Sequence, residues 1–159
     1  ERLRQGPRYH DLISAAYIEY LYLASMLHDI GKIGMPDFIL GKRTSLSHTE
    51  WKIMQMHPVY AHKLLSLIPS LAPAMDIPYC HHEKWDGTGY PRGLKNDDIP
   101  LAARIFTIID VWDSLVTDRP YRPGYTKEQA INYFFNGCGW RSGDYIGKRH
   151  GFCSSNAYS

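Results

Sequence analysis

Apolar residues recur at helical spacing through most of the chain and nowhere alternate in the manner of a half-buried strand. From Ile13 to His28, the positions Tyr17, Leu21, Ala24 and His28 fall on one stripe, and Gly31 stops the helix that carries it. Residues Glu1 to Leu12 are polar and broken by Gly6-Pro7. Pro36 to Leu46 reads as a loop crossing with Lys42-Arg43-Thr44 exposed. Ser47-His48-Thr49-Glu50 is a capping box, in which hydroxyl and carboxylate satisfy the first orphan amides. The helix it opens continues through Trp51, Ile53, Met54 and Met56 to His57. Pro58 kinks or restarts it, and the pattern resumes from Val59 to Ile68. Pro69 and Pro73 break the chain again. A short helix from about Ala74, through Met75 and Tyr79, ends in His81-His82-Glu83.

Lys84 to Leu94 is too dense in glycine and proline for regular structure and reads as a shaped loop. Asp97-Asp98, just ahead of Pro100, suits the first turn of a new helix. That helix is expected from Leu101 to about Leu115 or Val116, with Ile105, Ile108, Ile109 and Trp112 apolar. Asp110 and Asp113, three residues apart, share one of its faces. Arg119-Pro120-Tyr121-Arg122-Pro123 is a stiff basic turn. Thr126-Lys127-Glu128-Gln129 is a second capping box, and helix resumes to about Phe135. Beyond Asn136 the apolar period is lost, and Gly137 to Ser159 reads as loop or disorder. The predicted fold class is all-α, a helical bundle.

Composition changes this picture little. A chain of 159 residues makes one domain or most of one, with room for a core. A net charge of +2 without long like-charge runs gives no electrostatic reason to expect nucleic-acid or membrane-surface binding. The cysteines (Cys80, Cys138 and Cys153) are odd in number and lack CxxC spacing, which favours a reduced, cytoplasmic setting over a disulfide scaffold. No apolar run reaches the roughly 18 residues that a transmembrane helix needs. The eight histidines ask for an explanation.

His28, Asp29, His57, His81, His82 and Asp110 lie at helix ends or on inward-capable helix faces. Helical bundles build metal sites from such positions. Imidazole nitrogen with carboxylate oxygen suits borderline-to-hard divalent ions. Six mixed ligands exceed one tetrahedral shell and suit a dinuclear centre with Asp29 able to bridge. Adjacent on a helix, His81 and His82 would diverge by about 100° and serve two ions more easily than one. Each residue alone has a plainer reading: His28 as a core histidine, His57 as a helix-end residue, the His81-His82 pair as solvated surface. A carboxylate at Asp110 among Ile and Trp is harder to dismiss, because burial would demand partners. His10, His48, His62 and His150 read as surface or packing residues, and Cys80 as packing. The Gly87 to Gly93 loop reads either as a tight connection or as a rim over the metals.

In sum these segments resemble the HD-GYP subgroup of the HD phosphohydrolase superfamily. The matching stretches are LHDIGKIGMPDFIL from Leu27 to Leu40 and His57-Pro58, then HHEKWDGTGYPRGL from His81 to Leu94, IPLAARI from Ile99 to Ile105, and DVWDSLVTDRPYR from Asp110 to Arg122. The resemblance covers about residues 14 to 135, and its spacing is most like the output domain of bacterial two-component response regulators. It implies an all-helical phosphodiesterase that opens cyclic di-GMP to pGpG and often on to GMP. It also implies two divalent ions, with Fe or Mn favoured and Zn, Ni and Co left open. The metal ligands carried over are His28, Asp29, His57, His81, His82 and Asp110. Lys32, Tyr90, Arg119 and Arg122 are the implied substrate contacts. Asp29 and Lys32 act in the chemistry, and Asp113 is placed to orient a ligand or the attacking water. An upstream receiver or sensory domain and diguanylate cyclase-type partners are expected.

The expected organisation is a linker or truncated upstream helix over residues 1–13, a catalytic domain over 14–136, incomplete at both ends, and an irregular tail over 137–159. Relatives carry a further glutamate and histidine on a helix upstream, and a closing Phe-Asp-Pro segment with a final helix. Neither is found here. Lys42-Arg43-Thr44-Ser45 stands where Lys-Pro-Gly is usual, and Ser114-Leu115-Val116 where Ala-Leu-Thr is usual. Two alternatives stay open: another HD-superfamily nucleotide phosphohydrolase, and a catalytically weak domain that binds cyclic di-GMP or partner proteins.

Overall fold

Ser14 opens the first helix: its hydroxyl accepts the Tyr17 N–H at 3.1 Å, and α1 runs Ala15–Leu27. The structure, a computed structural model, describes residues 13–118 and 123–136, with no side-chain account from residue 134 onward. The Arg119-to-Arg122 turn, the polar first residues and the tail, with His10 and His150, lie outside the described residues. Within them every regular element is helical. After α1 come a 3₁₀ turn (Ile30–Gly34), α2 (Asp37–Leu40), α3 (His48–Met54) and α4 (His57–Leu65). A second 3₁₀ turn (Pro69–Ala74), α5 (Asp76–Cys80), α6 (Leu101–Val116) and α7 (Lys127–Asn136) follow.

The predicted boundaries are largely observed. Ser47 and Glu50 form the expected capping box of α3, and Thr126 and Gln129 exchange the same pair of bonds ahead of α7. Pro58 restarts the helix: α3 ends at Met54, and α4 begins with Pro58 in its first turn, where a missing N–H costs nothing. Two expectations need correction. The Pro36–Leu46 crossing contains the one-turn helix α2, held because Ile39 is buried at 2% exposure. Lys42, expected to be exposed, is partly buried, with its ammonium 2.5 Å from Glu50 Oε2.

Packing is built on small residues, which let helices approach closely. Ala24 of α1, Ala74, Ile77 of α5, and Ala102 and Phe106 of α6 form one buried cluster, and the predicted α1 stripe packs on it through Tyr17 and Leu21. Cys80, Ile99 and Ala103 make a second cluster, and Val111, Leu115 and Ala130 join α6 to α7 in a third. Cys80 is therefore a packing residue, and burial pushes its thiol up to about 11. His62 stacks on Tyr79 with ring centroids 4.2 Å apart. Ile109, read as apolar, is 57% exposed because Ala103, Phe106, Thr107 and Val111 define the buried face of α6.

The 3₁₀ turn Ile30–Gly34 lies against the start of α4. Gly31 is buried there, and a Cβ on it would sit 1.8 Å from the His57 carbonyl oxygen and 2.6 Å from the Ala61 nitrogen. Both neighbours are backbone, so neither can turn aside. Gly31→Ala is expected to destabilise the protein by about 3 kcal/mol or more, at the upper end of overpacking costs. Urea unfolding measures this; a change under about 1 kcal/mol would contradict the packing described.

Candidate metal centre

Four elements deliver the candidate ligands. Asp29 sits between the end of α1 and the 3₁₀ turn, His57 starts α4, and His81 and His82 follow α5. One ligand atom from each of Asp29, His57, His81 and His82 lies within 4.8 Å of all the others. His28 joins from the same turn as Asp29, its Nε2 3.2 Å from Asp29 Oδ2. Asp110 and Asp113 line the same cavity from α6, Asp110 partly buried and Asp113 exposed. All six predicted ligands thus border one cavity of about 870 Å³.

The backbone sets the direction of three imidazoles. His28 Nδ1 is 2.7 Å from the Ser25 carbonyl, His57 Nδ1 2.8 Å from that of Met54, and His81 Nδ1 3.0 Å from that of Ile77. A carbonyl only accepts, so each Nδ1 carries the proton and each Nε2 is turned inward. Burial lowers the affinity of His57 and His81 for a second proton, His81 down to about 3, with Lys32 and His28 adding to it at His57 and the His57 and His28 rings adding to it at His81. His82 is pushed down in the same way, by burial first and then by His81 and His57. Neutral, with Nδ1 protonated, His57 and His81 present lone pairs at Nε2, yet those atoms are 3.5 Å apart. Asp29 Oδ1 faces them at 3.4 and 3.9 Å. Three acceptors converging with no donor among them is an arrangement that a cation resolves. The donor set of imidazole nitrogen and carboxylate oxygen fits a divalent ion.

Asp29 Oδ2 faces the other way. Lys32 Nζ is 2.5 Å from it, and His28 shares it. Burial raises the Asp29 carboxyl, but the hydrogen bonds from His28 and Lys32 and the Lys32 charge outweigh this and hold it well below the usual carboxylate range. For His28, burial is outweighed by the Asp29 hydrogen bond and charge, and its affinity for a proton rises. Lys32, predicted to face phosphate, lines the cavity but is engaged with Asp29.

One expectation about the pair fails. The His81 and His82 rings do not diverge; their centroids are 4.0 Å apart at 43°. Helix α5 ends at Cys80 with His81 as its C-cap, and the two rings meet just beyond it. Tyr90 stacks on His82, centroids 4.7 Å apart at 24°, and borders the cavity. Arg119 and Arg122 lie outside the described residues.

Some residues that shape the site were missed in the sequence. Glu83, buried at 2% exposure, accepts the Arg92 N–H at 2.7 Å and the Leu94 N–H at 2.9 Å, and so ties down the Gly-rich loop. Its adjacency to the histidine pair was the available signal. The loop closes on itself through Tyr90 N–H to the His82 carbonyl at 3.2 Å, and Gly89 leaves no room for a Cβ, which would meet the Lys84 nitrogen at 2.3 Å. The Tyr90-Pro91 peptide is cis. The Thr107 hydroxyl lies 2.8 Å from the carbonyl oxygens of both His81 and Ala103, and holds the end of α5 against α6. Nothing in the run Ile105 to Ile109 marked it.

Comparison with known proteins places this geometry. The family model of the HD domain matches residues 12–138. A cyclic di-GMP phosphodiesterase of Vibrio cholerae is 40% identical over 146 residues, 87% of this chain and 30% of that protein. A 3'3'-cGAMP-specific phosphodiesterase of the same organism is 46% identical over 108 residues, 67% of this chain and 21% of the relative. The cyclic di-GMP phosphodiesterase response regulator RpfG of Xanthomonas campestris is 38% identical over 125 residues, 77% of this chain and 33% of that protein. The chain spans about a third or less of the length of these curated relatives.

Two outcomes follow. As pH falls below the ordinary histidine value near 6.5, the unfolded chain takes up protons that native His57, His81 and His82 resist. His28 opposes this, since its native form binds a proton more readily. The three outweigh the one, so metal-free protein should lose stability from pH 7 to 5, with a limiting slope of about 1.4 kcal/mol per pH unit for each net proton. Urea unfolding across that range measures it; stability that holds level or rises would contradict the protonation states assigned. Glu83→Gln should cost about 2 kcal/mol and accelerate exchange of the Arg92 and Leu94 amides. Unchanged protection of those two amides would show that Glu83 does not hold the loop.

Proposed function

The chain belongs to the HD-domain family, in its HD-GYP form, and from that membership we propose that it is a metal-dependent phosphodiesterase acting on cyclic di-GMP. The observation that carries the reading is the convergence of His57 Nε2, His81 Nε2 and Asp29 Oδ1, all acceptors, at the wall of a cavity large enough for a nucleotide. The two oxygens of Asp29 face two sets of candidate ligands, His57 with His81 on one side and His28 on the other. This supports a centre for two divalent ions, Fe or Mn preferred, that His28, Asp29, His57, His81, His82 and Asp110 would hold. Bound there, divalent ions would lower the pKa of water and polarise a phosphoryl oxygen.

The chain's own groups supply the rest. Lys32 brings an ammonium to the cavity wall beside Asp29, where it can hold a non-bridging phosphate oxygen as charge builds on it. Asp113, on the same face of α6 as Asp110, is an acceptor that can orient water. Tyr90 forms a wall beside His82, and Arg119 and Arg122 are further phosphate contacts under this reading. The catalytic unit is taken as residues 14–136. Acting on an intracellular second messenger, the domain would work in the cytoplasm, where signalling partners of the diguanylate cyclase type also act. The relative named a response regulator supports an upstream receiver domain. Among the described residues no helix is long and apolar enough to cross a membrane.

A second substrate, 3'3'-cGAMP, is favoured by the relative that is 46% identical and named for that activity. The deciding experiment loads the full chain anaerobically with Fe(II) or Mn(II) and offers cyclic di-GMP and 3'3'-cGAMP side by side. Release of pGpG or GMP, lost by at least a hundredfold in His81→Ala, is expected. No linear product from either dinucleotide, or equal turnover by His81→Ala, would overturn the assignment.

A further inference from the structure

Resting on the phosphodiesterase reading, we propose that Arg92 and Tyr79 are positioning residues: the guanidinium, held on the tyrosine ring, clamps the Gly-rich loop into the wall of the substrate cavity. The loop from Lys84 to Leu94 reaches that cavity at Tyr90, which stacks on His82. Its backbone is tied by the Tyr90 N–H to the His82 carbonyl, and by the Arg92 and Leu94 N–H groups to Glu83. None of these bonds uses the Arg92 side chain, which folds back over α5. Its guanidinium carbon lies 5.5 Å from the centre of the Tyr79 ring, within cation–π range. The Cys80 thiol gives a second sign of the same placement. Burial raises it, and the Arg92 charge is the first of the influences that lower it, so the guanidinium sits against the end of α5.

Tyr79 suits the part because it is itself fixed. Its ring stacks on His62 of α4 at 4.2 Å and 33°, and it packs on the buried cluster of Cys80, Ile99 and Ala103. The stack therefore runs from α4 through α5 to the loop. His57 begins α4 and His81 caps α5, so the loop is registered to the same helices that present candidate ligands. The loop needs such a tie. Gly87 and Gly93 stand at φ of 79° and 66°, and glycine backbone has little stiffness of its own. Arg92 adjoins Gly93, so a side-chain anchor there governs how firmly Tyr90 is held against the cavity.

Arg92 is exposed, and replacing its side chain leaves the backbone bond to Glu83 in place, so Arg92→Ala removes the clamp alone. In hydrogen–deuterium exchange of the full chain, Arg92→Ala should speed exchange of the Tyr90 and Leu94 amides about threefold or more and leave the amides of α6 unchanged. Tyr79→Ala should do the same, and the double variant no more than either alone. Arg92→Lys and Tyr79→Phe, which keep the cation and the ring, should restore most of the protection. In metal-loaded protein, Arg92→Ala should raise KM for cyclic di-GMP about threefold or more, with kcat within about twofold. Unchanged exchange at Tyr90 and Leu94, effects that add in the double variant, or an unchanged KM would overturn the clamp. If the unsubstituted protein hydrolyses no cyclic dinucleotide yet exchange of the loop depends on Arg92 and Tyr79, the phosphodiesterase reading fails and the clamp stands.

Discussion

The contact on which the site depends is backbone against backbone: Gly31 lies on the His57 carbonyl with no space for a side chain between them. That approach brings the turn carrying Asp29 onto the first turn of α4, and so sets the carboxylate across from the His57 ring. The second half is fixed from α6, where Thr107 holds the His81 carbonyl. The metal ligands come from loose ends of short helices, and short helices hold little position by themselves. Close packing of a glycine turn, one buried hydroxyl and an alanine-rich core do that work instead.

Electrostatics follow from this packing. Main-chain carbonyls claim the Nδ1 protons of His28, His57 and His81, and burial keeps His57 and His81 neutral, so their remaining nitrogens are left as acceptors beside a carboxylate. Among the described residues, Lys32 and His28 hold the cluster from the side of Asp29 Oδ2. The same group therefore links fold to function. Asp29 Oδ1, turned toward two imidazole acceptors, is where added positive charge would be stabilised, and the adjoining cavity has room for a phosphate that would share it.

Much of this was legible in the amino-acid sequence, for identifiable reasons. Capping boxes at Ser47 and Thr126 and the break at Pro58 are local chemistry, so α3, α4 and α7 begin where expected. His28, Asp29, His57, His81, His82 and Asp110 all reach one cavity, because ligands drawn from several helix ends have few ways to converge. What escaped depends on tertiary contacts. The His81 and His82 rings lie close together at the end of α5, a contact that helical spacing does not announce. Glu83 looked like the last residue of a helix, yet its carboxylate organises the loop that follows. Lys42 looked like a solvated charge and is bound to Glu50, eight residues on. Thr107, inside an apolar helix, showed no sign of its reach to another element.

The most direct test of the account is crystallography of the full chain soaked with Mn(II), with anomalous difference maps recorded at the manganese edge. The account predicts an anomalous peak bounded by His57 Nε2, His81 Nε2 and Asp29, with the two imidazole nitrogens drawn apart from their 3.5 Å contact to make room. Maps with no peak at that position, and the imidazoles still 3.5 Å apart, would contradict it.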